Sequence, residues 1–281
     1  MKILVTGFNG QLGYDVIKDL ESRGISCKGV DIADFDLTDE SAVFAYIRDY
    51  APTAVIHCAA FTAVDKAEEN RDIAFAVNVT GTENIARACR EVHAKMMYIS
   101  TDYVFSGEGD LPFEVNSPKA PKGYYGLTKS LGEDKVMEYV SDHFIVRTAW
   151  VFGVNGNNFV KTMIRLGKER NELQVVNDQW GSPTYTADLA KLLCDMIITD
   201  KFGIYHATNE DYCSWYDFAE AIMQTAGLGT KVIPVTSDQY PSKAVRPKNS
   251  RLSKTSLDQA GFERLPTWRD ALQRYAAELG L

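Results

Sequence analysis

The sequence predicts an α/β fold: one doubly wound parallel sheet with a smaller C-terminal substrate domain. Two observations carry that reading. Short, continuous apolar runs alternate with helix-period stretches through the first half of the chain. A glycine-bearing turn, "TGFNGQLG", follows the first of those runs, at the place where such a sheet binds nucleotides.

Each element has its own reason. "KILVTG" is a short apolar run, as expected of a strand buried on both faces. Leu12, Val16, Ile17 and Leu20 then form one helical stripe, which Gly24 stops. "SCKGVD" is a second strand. "TDESAVFAYIRDYAP" is a helix capped by Thr38 and ended before Pro52. "TAVIHCAA" is a third strand, "DIAFAVNVTGTENIARACREV" a long helix, and "AKMMYISTDYVF" a fourth strand. "YYGLTKSLGEDKVMEYV" reads as helix and "HFIVRTAWVFG" as strand. Strict βα alternation implies parallel pairing and Rossmann-like connectivity.

The second half is less regular. "NNFVKTMIRLGKER", "YTADLAKLLCDMI", "SWYDFAEAIMQTAG" and "WRDALQRYAAELG" are helical in pattern. Ser214 with Asp217, and Thr267 with Asp270, have capping-box spacing. A polar loop with basic residues surrounds Arg246. The expected division is a dinucleotide-binding domain over residues 1–152, to whose sheet later segments return, and a mainly substrate-binding domain over 153–281.

Bulk properties limit the partners. A chain of 281 residues holds one large α/β domain, or a nucleotide domain with a smaller companion. The formal charge of −8 opposes a nucleic-acid surface, which needs basic patches. Cys27, Cys58, Cys89, Cys194 and Cys213 are widely spaced and form no C-x-x-C pair. A reducing compartment, the cytoplasm, is therefore expected. No signal-peptide shape and no apolar stretch of about 18 residues is found, so no membrane partner is expected.

The turn places Gly7, Gly10 and Gly13 at three-residue spacing. Glycines there allow a tight strand-to-helix turn and close approach of a diphosphate. The amides of Gln11 and Leu12 open the helix towards the phosphates. Asp31 ends the second strand and is placed to accept ribose hydroxyls; Ile32 and Ala33 follow it, with no arginine. That favours NADH over NADPH. Asp36 and Leu37 are candidates to flank the adenine. Ala60, Phe61 and Thr62 follow the third strand, where small residues let a cofactor lie against the strand end.

"YYGLTK" contains two tyrosines before a lysine. Tyr125 and Lys129 are four apart and share a helix face, whereas Tyr124 does not. Lys129 is expected to lower the Tyr125 pKa, making Tyr125 the proton donor. Thr101, at the end of the fourth strand, is placed to hold the substrate oxygen. The adjacent Ser100 faces the other way along the strand.

These residues resemble the extended short-chain dehydrogenase/reductases, and within them the dTDP-4-dehydrorhamnose reductases. "TGFNGQLG", "AAFTAVDKAE", "ISTDYVFSG", "YYGLTK", "VRTAWVFG", "NNFVKTM", "DQWGSPTYTADLA" and "RPKNSRL" all resemble that family's segments in order, across residues 3 to 252. The resemblance implies NAD(P)H-dependent reduction of the 4-keto group of a dTDP-6-deoxy sugar, giving dTDP-L-rhamnose. It implies that Thr101 and Asp102 touch the sugar and that Trp150 lines its site. Asn158, Gln179, Trp180 and Arg246 would then hold the nucleotide half. Some members carry glutamates for magnesium at a dimer contact; here Asp15 stands nearest, and both the metal and a homodimer are left open. Two other readings are a non-catalytic NAD(P)-binding regulatory subunit and a nucleotide-sugar epimerase or dehydratase.

Overall fold

A computed structural model describes residues 1–240 and 242–281. The strands of the first half are β1 (Lys2–Thr6), β2 (Ser26–Val30), β3 (Ala54–His57), β4 (Lys95–Thr101), β5 (His143–Thr148) and the short β6 (Val151–Phe152). Those of the second half are β7 (Glu172–Val176), β8 (Trp180–Gly181), β9 (Thr184–Tyr185), β10 (Gly203–His206), β11 (Cys213–Ser214) and β12 (Lys231–Val235). The first helices are α1 (Gln11–Ser22), α2 (Glu40–Tyr50), α3 (Val64–Glu69), α4 (Arg71–Phe75), α5 (Thr82–Glu91) and α6 (Tyr124–Tyr139). They are followed by α7 (Phe159–Glu169), α8 (Thr186–Ile197), α9 (Trp215–Thr225), α10 (Thr255–Ala260) and α11 (Trp268–Glu278).

Six strands form one parallel sheet in the order β10-β5-β4-β3-β1-β2. The order reverses between β1 and β3, and a crevice opens there beyond the carboxyl ends of the strands. One apolar layer packs Ile3, Val5, Leu12, Val16 and Leu20 against Leu189, Leu193 and Ile197 of α8. The opposite layer joins Leu4, Val55 and Met96 to Val43, Ile47 and Ile85. Each such aliphatic side chain contributes about 1.5–3 kcal/mol on burial. β10 and α8 thus belong to the main sheet although they lie late in the chain. A separate cluster joins Phe152, Val160, Leu173, Phe218, Ile222, Trp268 and Tyr275.

The long helix expected over 72–92 is continuous, but its middle, Ala76–Gly81, is π-helical. Two expected caps differ. Helix α2 is capped by Asp39, which accepts from the Ala42 amide, not by Thr38. Thr38 instead donates both its amide and its hydroxyl to Asp36, an Asx turn that competes with capping. Ser214 and Asp217 form both halves of a capping box. For Thr267 and Asp270 only the Thr267 half is made, with the Asp270 amide donating at 3.3 Å.

Under the sheet, Arg147 of β5 grips Glu133 of α6 through two bonds of 2.8 Å, and Ser100 donates to the same carboxylate at 2.6 Å. Both charged side chains are buried. Glu133→Ala leaves the Arg147 charge buried without its main partner, so a loss of about 3–5 kcal/mol is expected in denaturant unfolding. A loss under about 1 kcal/mol would show that the pair does not fasten α6 to the sheet.

Candidate active site

One cavity of about 750 Å³ runs along the carboxyl ends of β1, β2, β3, β4 and β5. Its first wall is the glycine turn. Gly7 has φ of +68°, and a Cβ on it would stand 2.7 Å from the backbone of Ala59. A Cβ on Gly13 would stand 2.3 Å from the Gly7 carbonyl oxygen. No larger residue fits either place without moving backbone. Helix α1 begins at Gln11 with no side-chain cap on its Gly10 boundary. Its first amides are therefore free for an anion, and the helix dipole adds to the attraction.

Asp31 lies beside this turn. The Asn9 amide donates to its carboxylate at 3.3 Å, and the Ile32 amide at 2.8 Å. Asp36, Leu37, Ala60 and Thr62 also line the cavity. Phe61 does not line it. Its backbone is clamped instead: Asn78 Oδ1 accepts from the Phe61 amide at 2.8 Å, and Asn78 Nδ2 donates to the Phe61 carbonyl at 3.1 Å. Asn78 Nδ2 also donates to Thr128 at 3.0 Å. One buried amide in the π-helical turn thereby ties the β3 loop to α6; such π-helical turns recur at functional sites. The sequence reading missed Asn78. A polar residue on the inward stripe of "AVNVTG" was the available signal.

Helix α6 starts at Tyr124, where Glu68 of α3 accepts the Tyr124 amide at 2.7 Å and acts as a cap supplied from outside the helix. Tyr125 and Lys129 face the cavity. The Tyr124 ring lies under the Arg71 guanidinium, 4.9 Å from it, and is not among the lining residues. Lys129 sits 3.9 Å above the Tyr98 ring. The Tyr103 ring meets Tyr125 edge-on at 5.5 Å.

The expected lowering of the Tyr125 pKa is not what the structure gives. Burial pushes the phenol up; its contact with the Thr101 side chain pulls the other way, and the Asp102 charge adds to the rise. Burial also pushes Lys129 down, to about 7, against the pull of the Glu133 carboxylate and Cys58. The cause is common to both: burial disfavours the phenolate and the ammonium alike. A neutral phenol is nonetheless the form a proton donor needs at neutral pH.

Thr101 pairs with Thr148 across β4 and β5. Its hydroxyl donates to Asp102 Oδ1 at 2.9 Å and accepts from the Tyr103 amide at 3.2 Å. Asp102 is buried, and burial raises its carboxyl to about 6. Asp102 Oδ2 and Thr148 Oγ1 are buried and make no hydrogen bond of good geometry, although the Ser250 hydroxyl stands close enough to the Asp102 carboxyl to lower it; Asp102 and Thr148 both line the cavity. Such orphaned groups fit a site that holds a polar ligand. The hydroxyl of Ser100 is turned away to Glu133.

Trp150 and Asn158 line the cavity as well. The Asn158 amide is committed to the scaffold: it caps α7 through the Lys161 amide and donates to Gln11 Oε1 at 3.0 Å and to the Gly153 carbonyl at 2.8 Å. Gln179, Trp180 and Arg246 are not among the lining residues. Gln179 donates to Ser237, Trp180 lies 5.2 Å under the Arg251 guanidinium, and Arg246 pairs with Asp65 at 2.7 Å. Tyr103, Thr148, Asn157 and Trp215 line the cavity and were not expected to.

Among the described residues, no group of three or more His, Cys, Asp or Glu is arranged to hold a metal ion. Asp15 is buried, and Glu278 is bonded to Lys18 and Tyr185. No helix among the described residues is long and apolar enough to cross a membrane.

The geometry has counterparts. Residues 1–281 match the family model described as RmlD substrate binding domain. A dTDP-4-dehydrorhamnose reductase of Streptomyces griseus is 41% identical over 276 residues, 96% of this chain and 91% of that protein. The crystal structure of a Clostridium acetobutylicum dTDP-4-dehydrorhamnose reductase superposes with a TM-score of 0.98 at 43% identity, covering all of both chains. That of the Bacillus anthracis enzyme, in complex with NADP, gives 0.96 at 42% identity, over 99% of this chain and all of the other. By its full-length match and these identities, the chain belongs to the RmlD substrate binding domain family.

Proposed function

We infer that the protein is an NAD(P)H-dependent oxidoreductase that reduces the 4-keto group of a dTDP-6-deoxy sugar, giving dTDP-L-rhamnose. The observation that carries this reading is one cavity lined by the glycine turn, Asp31, Thr101, Tyr125 and Lys129 together. A regulatory subunit without chemistry would not need the last three.

The residues divide the work. Gly7, Gly10 and Gly13, with the amides of Gln11 and Leu12, form the cradle for the dinucleotide diphosphate. Asp31 takes the adenosine ribose, with Asp36, Leu37, Ala60 and Thr62 along the same wall. A bound NAD(P)H supplies the hydride. Tyr125 gives its phenolic proton to the carbonyl oxygen as negative charge develops there. Lys129, as ammonium, stabilises the phenolate that Tyr125 becomes. Thr101 holds the same oxygen by turning its hydroxyl away from Asp102. The sugar lies against Asp102 and Trp150. The nucleotide half runs outward past Asn158 towards Gln179, Trp180 and Arg246, where Arg246 exchanges Asp65 for the substrate diphosphate.

NADH is the preferred cofactor on this reading. Among the described residues that line the cavity Lys129 is the one cation, and it stands at the Tyr125 end. A 2′-phosphate beside Asp31 would meet a carboxylate and no basic side chain of the lining.

Loss of NADH absorbance on adding dTDP-4-dehydro-6-deoxy sugar tests the reaction; no oxidation would overturn it. Tyr125→Phe is expected to lower turnover about 100-fold or more, and Tyr124→Phe far less. Equal losses would reject Tyr125 as the donor. Asp31→Ala is expected to move the ratio of kcat/KM for NADH and NADPH towards NADPH; an unchanged ratio counts against Asp31 as ribose anchor. Because the ammonium is the working form of Lys129, kcat/KM is expected to fall as pH rises through about 7. A profile flat across that value would remove Lys129 from the proton-transfer step.

A further inference from the structure

Trp150 has φ of +51°, a left-handed backbone for a bulky residue. Such a conformation costs about 1–2 kcal/mol and persists only where the surroundings enforce it. Two neighbours hold its indole. On one side the Trp215 ring lies flat on the Trp150 ring, with centroids 3.7 Å apart and 14° between planes. On the other side is Gly181, where a Cβ would stand 2.8 Å from Trp150 Cε2 and 3.0 Å from Cζ2.

Both neighbours come from one device in the second half of the chain. β8 and β11 pair antiparallel, with Gly181 opposite Cys213 and Trp180 opposite Ser214. Ser214 then caps α9, whose first residue is Trp215. Phe159 of α7 backs Trp215 at 4.5 Å. The indole of Trp150 is thus held in a slot between a bare backbone and a second indole. Trp150 and Trp215 both line the cavity, and Trp150 follows by two residues the Thr148 that pairs with Thr101.

We propose that Trp215 is the positioning residue of the sugar end: with Gly181 it locks the Trp150 indole between them, so that the part of the ring left open to the cavity forms a fixed apolar border against which the deoxy carbon of a 6-deoxyhexose packs. The inference rests on the reductase reading above. It assigns sugar affinity to the stack and cofactor affinity to the glycine turn, so the two separate in experiment. A ring already held in place by its neighbours loses little freedom when a ligand packs against it.

The test uses the whole protein with NADH and the dTDP-4-dehydro-6-deoxy sugar. Trp215→Ala is expected to raise the sugar KM about tenfold or more, while the NADH Kd stays within about twofold. Gly181→Ala, which leaves both indoles in the chain but pushes into the slot, is expected to give the same split. Trp215→Phe keeps a flat ring and should recover the KM to within about threefold of wild type. The exciton couplet of two stacked indoles in circular dichroism should vanish in Trp215→Phe and weaken in Gly181→Ala. A sugar KM unchanged in both Trp215→Ala and Gly181→Ala overturns the inference, as does an NADH Kd that rises in step with the sugar KM. If Trp215→Ala does not fold, Gly181→Ala and Trp215→Phe decide alone. A wild type without turnover overturns the reductase reading and this inference with it. An active wild type with insensitive variants overturns only the inference.

Discussion

The structure depends first on how closely three pieces of backbone approach one another at the β1–α1 turn. Gly13 lies on the Gly7 carbonyl, and Gly7 lies on the backbone of Ala59. Because those contacts leave no room for a side chain, helix α1 starts immediately over the sheet edge with its amides unpartnered. That single constraint sets the floor of the cavity and the direction from which an anion is held. Thr101, Tyr125 and Lys129 are arranged around that floor, on β4 and α6.

A second layer of support converts this floor into a site. Asn78 binds the loop after β3 and the second turn of α6 at once. Glu68 caps α6 from another helix, and the Glu133–Arg147 pair fastens the far side of α6 to β5. Tyr125 and Lys129 therefore sit on a helix anchored at three points. Rigid placement of this kind suits the proton-donor role proposed for Tyr125, since the efficiency of such a group falls steeply with misplacement.

Much of this was legible in the residues. Buried parallel strands announce themselves as unbroken apolar runs, which is why "KILVTG" and "TAVIHCAA" were readable. The i, i+4 spacing of Tyr125 and Lys129 was enough to put both on the cavity side of α6 and Tyr124 off it. Other features were hidden for physical reasons. Strands of two residues such as β8 and β11 have no period to detect, so the slot around Trp150 left no trace in the pattern. Thr38 lost the cap to Asp39 because its hydroxyl had a nearer acceptor in Asp36. The ionisation of Tyr125 differs from the expectation because a spacing says nothing about burial, and burial is the largest influence on this phenol. Trp215 carried no signal of its own, since stacking on a residue 65 positions earlier is a tertiary fact.

The return of α8 and β10 to the main sheet has a consequence for how such enzymes diversify. The polypeptide leaves the layers of the main sheet after β5, comes back with α8 and β10, leaves again before α9 and returns once more with α10. Neither packing unit is a contiguous stretch, so recombination at one crossover cannot exchange a whole unit between homologues. New specificities in this architecture must instead accumulate by point changes along the seam, where the two halves already share side chains.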